Sequence, residues 1–522
     1  MTVHRIDANA SADPPGGSGL QRLCWCSFLL FTAVMCDPGA EASEVLVGNA
    51  AVWKYLFSDQ SPPGDWKSRT FDDSSWESGR SPFGYGNKNQ ETHVGPKSGV
   101  KTYPITTWYR HEFKVSSTAP IRGLWLTLER DDGAVVHLNG VEVVRSNMPL
   151  GEILPLTRSL SGINDKEKRR EHAHFVDASV LRRGVNVLAV EVHQKNLEGT
   201  DLWFTLRLET RSRNDPVRVV RGPYVQTTTP TQAVLRWRTD VPTESEARIG
   251  LQPGELSRKE SAVGLRVEHE ITLSGLEPAT RYFYAVGFAG QSLAGGDDPH
   301  WFRTHPPAGE ARPLRVWALG DSGTADDRPG KVRDAYLQFA AGEMPDVWLM
   351  LGDNAYMSGT DEEYQHAVFD MYPAVMLCTP LWPTIGNHDA VQTSSGDQLG
   401  TYFDIFTLPR AAEAGGVASG TEAYYSFDFA NVHFICLDSQ DSPRRPPSAM
   451  LTWLEHDLEA TVANWIIAYF HHPPYSKGSH DSDALIDSQG RLIEMRQFVL
   501  PVLEQGGVDL VLTGHSHSYE RS

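Results

Sequence analysis

Cysteine is scarce in this chain: there are five in 522 residues, and Cys24, Cys26 and Cys36 all fall near the start. No cysteine framework can hold the fold together, and no cysteine zinc set competes for a functional reading. Cys378 and Cys436 are expected as buried free thiols, because Cys436 sits inside the apolar run His433-Phe434-Ile435-Cys436-Leu437. The sequence also lacks a Walker phosphate loop and a Gly-x-Ser-x-Gly nucleophile elbow. Positive charge is short as well: 47 Lys and Arg against 66 Asp and Glu give a net −19, which repels a polyanion and argues against a nucleic-acid scaffold. Long apolar runs are missing but for residues 23–35, which are of signal-peptide rather than spanning length. With Arg22 before that run and Gly39-Ala40-Glu41-Ala42 after it, residues 1–42 read as a secretory signal cleaved after Ala42, with an uncleaved anchor as the alternative. A secreted, periplasmic or cell-surface protein with no stable membrane span is expected.

At this length several domains are needed, since one hydrophobic core stops growing at roughly 250 to 300 residues. Residues 43–210 carry the signals of an antiparallel β domain. Asn139-Gly140, between the apolar stretches 134–138 and 141–145, is a strong hairpin turn because both residues tolerate positive φ. Runs at 108–115, 185–192 and 202–208 add strands, and a β-sandwich is expected. After the polar joint 211–216, residues 216–305 read as a second, smaller sandwich. Ala233-Val234-Leu235-Arg236-Trp237 alternates, and Leu276-Glu277-Pro278-Ala279-Thr280-Arg281-Tyr282 has the form of a tyrosine corner. A linker at 305–309 leads into residues 312–522, where the pattern becomes α/β. Buried-type strands are expected at 314–319, 347–351, 381–385, 432–437, 465–470 and 508–512, with helices at 331–341, 449–460 and 491–505.

Chemistry gathers where those strands end. They are followed by Gly320-Asp321, Gly352-Asp353, Gly386-Asn387-His388, His471 and Gly514-His515-Ser516-His517. Each motif alone is weak, but five strand ends each offering a metal ligand, most beside a glycine that allows close backbone approach, are not a coincidence of caps. Open α/β sheets collect ligands in this position.

This ordered set resembles the metallophosphoesterases, and specifically the purple acid phosphatases of plant-like organisation, whose phosphatase domain follows a fibronectin type III-like module. Many metallophosphoesterases place His two residues after the first Asp; here that position is Gly323, and Tyr356 follows the second Asp by three. The resemblance implies that Asp321, Tyr356 and His517 hold an Fe(III), that Asn387, His471 and His515 hold a divalent Fe, Zn or Mn, and that Asp353 bridges the two. Hard anionic oxygen donors suit a trivalent iron. It further implies an αββα catalytic domain, phosphate contact by His388, and proton donation to the leaving group by His480. Hydrolysis of a phosphorylated small-molecule ester, by in-line attack of water activated on the metal pair, is the expected activity. His472 beside His471 leaves the ligand choice open to either; His471 is preferred for its place at the strand end. Asp389, where many members carry Glu, leaves these assignments unchanged.

Residues 43–210 resemble, more loosely, the galactose-binding jelly rolls appended to secreted hydrolases, and their aromatics suggest a glycan as a further partner. Alternatives in play are phosphodiester or nucleotide hydrolysis on the same metals, and a glycan-binding surface protein with a disabled phosphatase domain. Family members continue with further strands after the last histidine pair, whereas this sequence ends at Ser522, so a C-terminally truncated catalytic domain is expected. His366, His433 and His456 have no partner motif and are expected as surface or satisfied core residues.

Overall fold

The computed structural model describes residues 43–522 apart from 59, 96–102, 119–120, 166 and 213, so the expected signal segment 1–42, with its three cysteines, lies outside the described residues. Within the described part, a sheet-rich N-terminal region precedes an α/β region. Two six-stranded sheets come first. One runs in the order His172–Asp177, Ile121–Asp131, Leu202–Ser212, Phe83–Tyr85, Thr92–His93, with Val45–Val47 beside Leu202–Ser212. The other runs Glu77–Arg80, Val52–Phe57, Thr106–Val115, Gly184–His193, Gly133–Leu138, Val141–Ser146. Every second residue of the long strands points inward, as the two-residue strand period dictates. Leu124, Leu126, Leu128, Phe204, Leu206 and Leu208 meet Trp53, Tyr109, Val136 and Val190 of the other sheet in one core. The hairpin at Asn139 (φ 54°) and Gly140 (φ 86°) forms as expected, both residues in the left-handed region. The aromatics that suggested sugar binding are largely interior: Trp53, Tyr55, Trp66, Trp76, Phe83, Tyr109 and Trp203 are all buried. They give a glycan platform no support.

A third six-stranded sheet follows. Its 19-residue strand Gln232–Gly250 pairs with Arg258–Ser274 along nearly its whole length, and on its other edge with Val219–Gln226 through its first half and Arg281–Phe288 toward its end. The register shifts between Arg238 and Thr243, around Pro242, whose missing N–H interrupts the ladder. Tyr282 Oη accepts from the Glu277 amide at 2.9 Å, the hydrogen bond of a tyrosine corner. The stretch expected to break the pattern after residue 304 begins with an anchored residue. His305 is buried, bonding Thr228 Oγ1 at 2.7 Å through Nε2 and donating from Nδ1 to the Asp428 carbonyl at 2.9 Å.

The α/β region is built on two sheets. Val316–Leu319, Val347–Met350 and Leu381–Pro383 are parallel. Val432–Cys436, Trp465–Phe470 and Leu510–Thr513 are parallel in the second sheet, and Tyr425–Phe429, a strand not anticipated from sequence, runs antiparallel at its edge. Their inner faces meet: Trp382 stacks on Phe427 at 3.8 Å, and Phe427 on Phe434 at 4.7 Å. Helices Asp327–Ala340 and Ala449–Ala460 start at Asp326 and Ser448, whose side chains accept the amides of Arg328 and Leu451. The helix expected at 491–505 is continuous but widens into a π turn over Met495–Val499, just before Pro501, which has no N–H to donate to the preceding turn. Cys378 and Cys436 are free and buried. Among the described residues no helix is long and apolar enough to cross a membrane.

Candidate metal centre

Within each sheet the parallel strands run the same way, and Asp321, Asp353, Asn387, His471, His515 and His517, in the loops after their C-terminal ends, come together. Four of these residues do so at a conformational cost. Asp321 (φ 55°), Asp353 (φ 52°), His515 (φ 71°) and His517 (φ 49°) occupy the left-handed region that residues with a Cβ avoid. Two glycines permit the approach. A Cβ on Gly386 would lie 2.2 Å from both the amide and Oδ1 of Asp353, and one on Gly352 (φ 87°) would lie 2.5 Å from the His471 ring.

Seven side chains meet in two overlapping groups. Tyr356 Oη lies 3.2 Å from Asp321 Oδ1, 3.1 Å from Asp353 Oδ2 and 3.0 Å from His517 Nε2, and His517 Nε2 lies 3.4 Å from Asp321 Oδ1. On the other side of Asp353, His471 Nε2 is 3.5 Å from Asp353 Oδ1, 3.1 Å from Asn387 Oδ1 and 3.1 Å from His515 Nδ1. Asp353 thus belongs to both groups, one carboxylate oxygen facing each. The neighbouring histidines differ in their ties: His471 Nδ1 donates to the Leu351 carbonyl at 2.8 Å and aims Nε2 at the cluster, whereas His472 bonds Ser439 Oγ at 2.9 Å through Nδ1.

The donor set fits cations. With Nδ1 of His471 spent on Leu351, its Nε2 faces the Asn387 carbonyl oxygen, the Asp353 carboxylate and the His515 ring nitrogen, acceptors that need a proton or a metal ion between them. The buried His472 Nε2 has no partner, and His471, His472 and His515 present nitrogens within 4.8 Å of one another. Asp321, Asp353 and His517 form a second such group. Electrostatics agree. Burial, then Asp353 and Asp321, push the Tyr356 phenol far above its usual pKa. Burial raises Asp321 too, and the neighbouring Asp353 adds to it. Burial opposes charge on His471, yet Asp353 and Asp321 lift its pKa to about 9, so that a proton serves where a stronger cation would. Burial and the His471 charge drive His515 down to about 3.

The two expected catalytic histidines lie at the rim. The His388 ring packs edge-on against Tyr356 at 4.5 Å and donates from Nδ1 to the Met357 carbonyl at 2.6 Å, while its Nε2 stands 4.0 Å from Asp353 Oδ2. His480 stacks on His515 at 3.8 Å with Nδ1 held by Asp487 Oδ1 at 2.8 Å. Outside the cluster, His366 bonds Asp370 and His456 is exposed, whereas His433 is fully buried between Asp428 and Asp457.

Several contributors were not legible beforehand. Asp389, fully buried, accepts from the amides of Gly386 (2.9 Å) and Asn354 (3.1 Å), the Asn354 side chain (3.1 Å) and the Tyr364 hydroxyl (2.7 Å), tying the second and third ligand loops together. Ser488 Oγ bonds His515 Nε2 at 2.6 Å. Both lie in ordinary-looking polar sequence; only the Gly-Asn-His-Asp string hinted at the first.

Residues 314–519 match the calcineurin-like phosphoesterase family and residues 221–304 the purple acid phosphatase N-terminal domain. Over 281 residues the chain is 29% identical to Purple acid phosphatase 23 of Arabidopsis thaliana, covering 48% of this chain and 57% of that protein. It is 27% identical over 327 residues to human Acid phosphatase type 7, covering 56% of this chain and 68% of that protein. The chain spans about half the length of the plant relatives it matches. With the paired domains in this order and the donor cluster at the strand ends, the chain carries a calcineurin-like phosphoesterase domain behind a purple acid phosphatase N-terminal domain and is similar to the purple acid phosphatases.

Proposed function

We propose that this chain is a binuclear-metal acid phosphatase acting on phosphate monoesters. In this reading Asp321, Tyr356 and His517 hold an Fe(III), Asn387, His471 and His515 hold divalent Fe, Zn or Mn, and Asp353 spans both. The carrying observation is the doubled donor set about Asp353, with acceptor atoms 3.0–3.5 Å apart on each side. A metal pair there would clamp a phosphate and activate water for in-line attack. The protein's own groups do the rest. His388, fixed through Nδ1 on the Met357 carbonyl, has Nε2 4.0 Å from Asp353 Oδ2, where its N–H would donate to a phosphate held at the cluster and stabilise developing charge. His480, fixed through Nδ1 on Asp487, keeps Nε2 free to give a proton to the departing oxygen. Buried Asp353, its Oδ1 also accepting the His388 amide at 2.9 Å, cannot move without moving both halves of the site.

The shared core of the two leading sheets supports reading residues 43–210 as a jelly-roll sandwich, and the Tyr282 corner supports a fibronectin type III-like module at 216–305. The two facing sheets with flanking helices support an αββα arrangement for 312–522. Secretion belongs to the same reading. The test is hydrolysis of an aryl phosphate by the purified chain, set beside a panel of phosphodiesters and nucleotides. Turnover of the monoester, lost in Asp353→Asn, is expected; activity confined to diesters would replace the substrate class, and no activity with metals retained would remove the reading.

A further inference from the structure

The helix Asp361–Tyr364 follows the Tyr356 loop and opens with three consecutive carboxylates, each engaging a different part of the chain. Asp361 takes both Arg238 guanidinium nitrogens (2.6 and 2.7 Å) and Arg221 (2.9 Å) from the third sheet. Glu363 turns back: its carboxylate accepts the amides of Met357 (2.6 Å), Ser358 (3.0 Å) and Thr360 (3.0 Å), gripping the loop that presents Tyr356 and the carbonyl that orients His388. Glu362 reaches the other way, into the leading sheets. Its Oε2 accepts from Ser146 Oγ at 2.9 Å and Arg130 at 3.3 Å, and its Oε1 lies 3.2 Å from His174 Nε2. Arg130 is 3% exposed, so the pair is shielded from solvent. A second tie runs beside it, from Gln392 Nε2 to the Met148 carbonyl at 3.2 Å, reaching the short helix Asp389–Gln392 after the Asn387 and His388 loop.

We infer that Glu362 is a positioning residue through which the leading sheets set the Tyr356 phenol and the His388 ring in the donor cluster. A surface ion pair would contribute little, but this one is buried and joined by one peptide unit to a carboxylate that fixes three amides of the Tyr356 loop. Displacing Glu362 therefore tilts the helix start, and displacements of about 1 Å at reacting groups lower turnover on the order of a hundredfold. The inference rests on the metal reading of the cluster.

The experiment uses the purified metal-loaded full chain and the variants Glu362→Gln, Arg130→Met and the milder Ser146→Ala, with Glu209→Gln, in a partly exposed pair with Arg207 in the sheet that carries Arg130, as control. The readouts are the visible tyrosinate-to-iron band, metal content, and kcat and KM on an aryl phosphate. Glu362→Gln is expected to keep its metals, displace the band and lower kcat about tenfold with KM within about twofold. Arg130→Met should do the same without adding to Glu362→Gln in the double variant, and Ser146→Ala should do so more weakly. If wild type is coloured and the variants keep its band and kcat, whether or not they melt earlier, the contact is mere packing and the inference falls. A colourless wild type overturns the metal reading and takes this inference with it.

Discussion

Asp321, Asp353, His515 and His517 hold left-handed backbone at the one place where their side chains meet, and such strain persists only where surrounding structure enforces it. Asp389 is part of that enforcement. Asp389→Asn would aim an amide at the Gly386 and Asn354 donors, so metal affinity should fall about 10- to 100-fold in a chelator competition. The metal-free variant should also lose about 1–3 kcal/mol in denaturant unfolding. His480 answers to a different test. If it protonates the leaving oxygen, His480→Ala should depress turnover of alkyl phosphates by about 10²-fold or more while a good aryl leaving group is spared; equal losses for both would assign it to packing against His515. At this scale the sequence was informative for the candidate ligands, because most lie just after a strand and several directly follow a glycine. It marked Asp389 only as a variation within the Gly-Asn-His-Asp string and was silent on Asp487 and Ser488, which bond His480 and His515.

Among the elements, the second sheet of the α/β region contains a buried charge network around His433, which the sequence left as a surface or satisfied core residue. His433, on Val432–Cys436, bonds Asp428 at 2.7 Å and Asp457 at 2.9 Å. Burial works against its charge, but the two carboxylates raise its pKa to about 9. A histidine pKa raised on folding gives stability that is complete below its unfolded value near 6.5 and is lost as pH climbs through 9. The difference in unfolding free energy between wild type and His433→Gln should therefore shrink by about 3 kcal/mol between pH 6 and pH 10; a difference independent of pH would mean His433 is neutral. The periodicities exposed most elements within a few residues. They did not reveal Tyr425–Phe429, whose alternating Ser426 and Asp428 disguise an edge strand, nor the π turn, which depends on Pro501 ending a ladder that hydrophobic spacing leaves unmarked.

Across the molecule, boundaries read from composition are crossed by specific bonds. Tyr224, in the third sheet, is buried in the core of the α/β region and donates to the Ile405 carbonyl at 2.6 Å, and Tyr284 donates to the Leu377 carbonyl at 2.8 Å. These two regions should unfold in one calorimetric transition, and Tyr224→Phe should lower it by about 1 kcal/mol; two resolved transitions would show them independent. Order along the chain was legible because each segment has its own hydrophobic period, whereas contacts between segments use single Tyr, Arg and Glu side chains that no period marks. The central claim is that one cluster holds two cations across Asp353. Elemental analysis of the purified chain, with its visible spectrum, tests it most directly. Two metal ions per chain, one of them iron, with a band that disappears in Tyr356→Phe, are predicted; a chain that takes up one ion or none, or keeps both in Asp353→Asn, would contradict it.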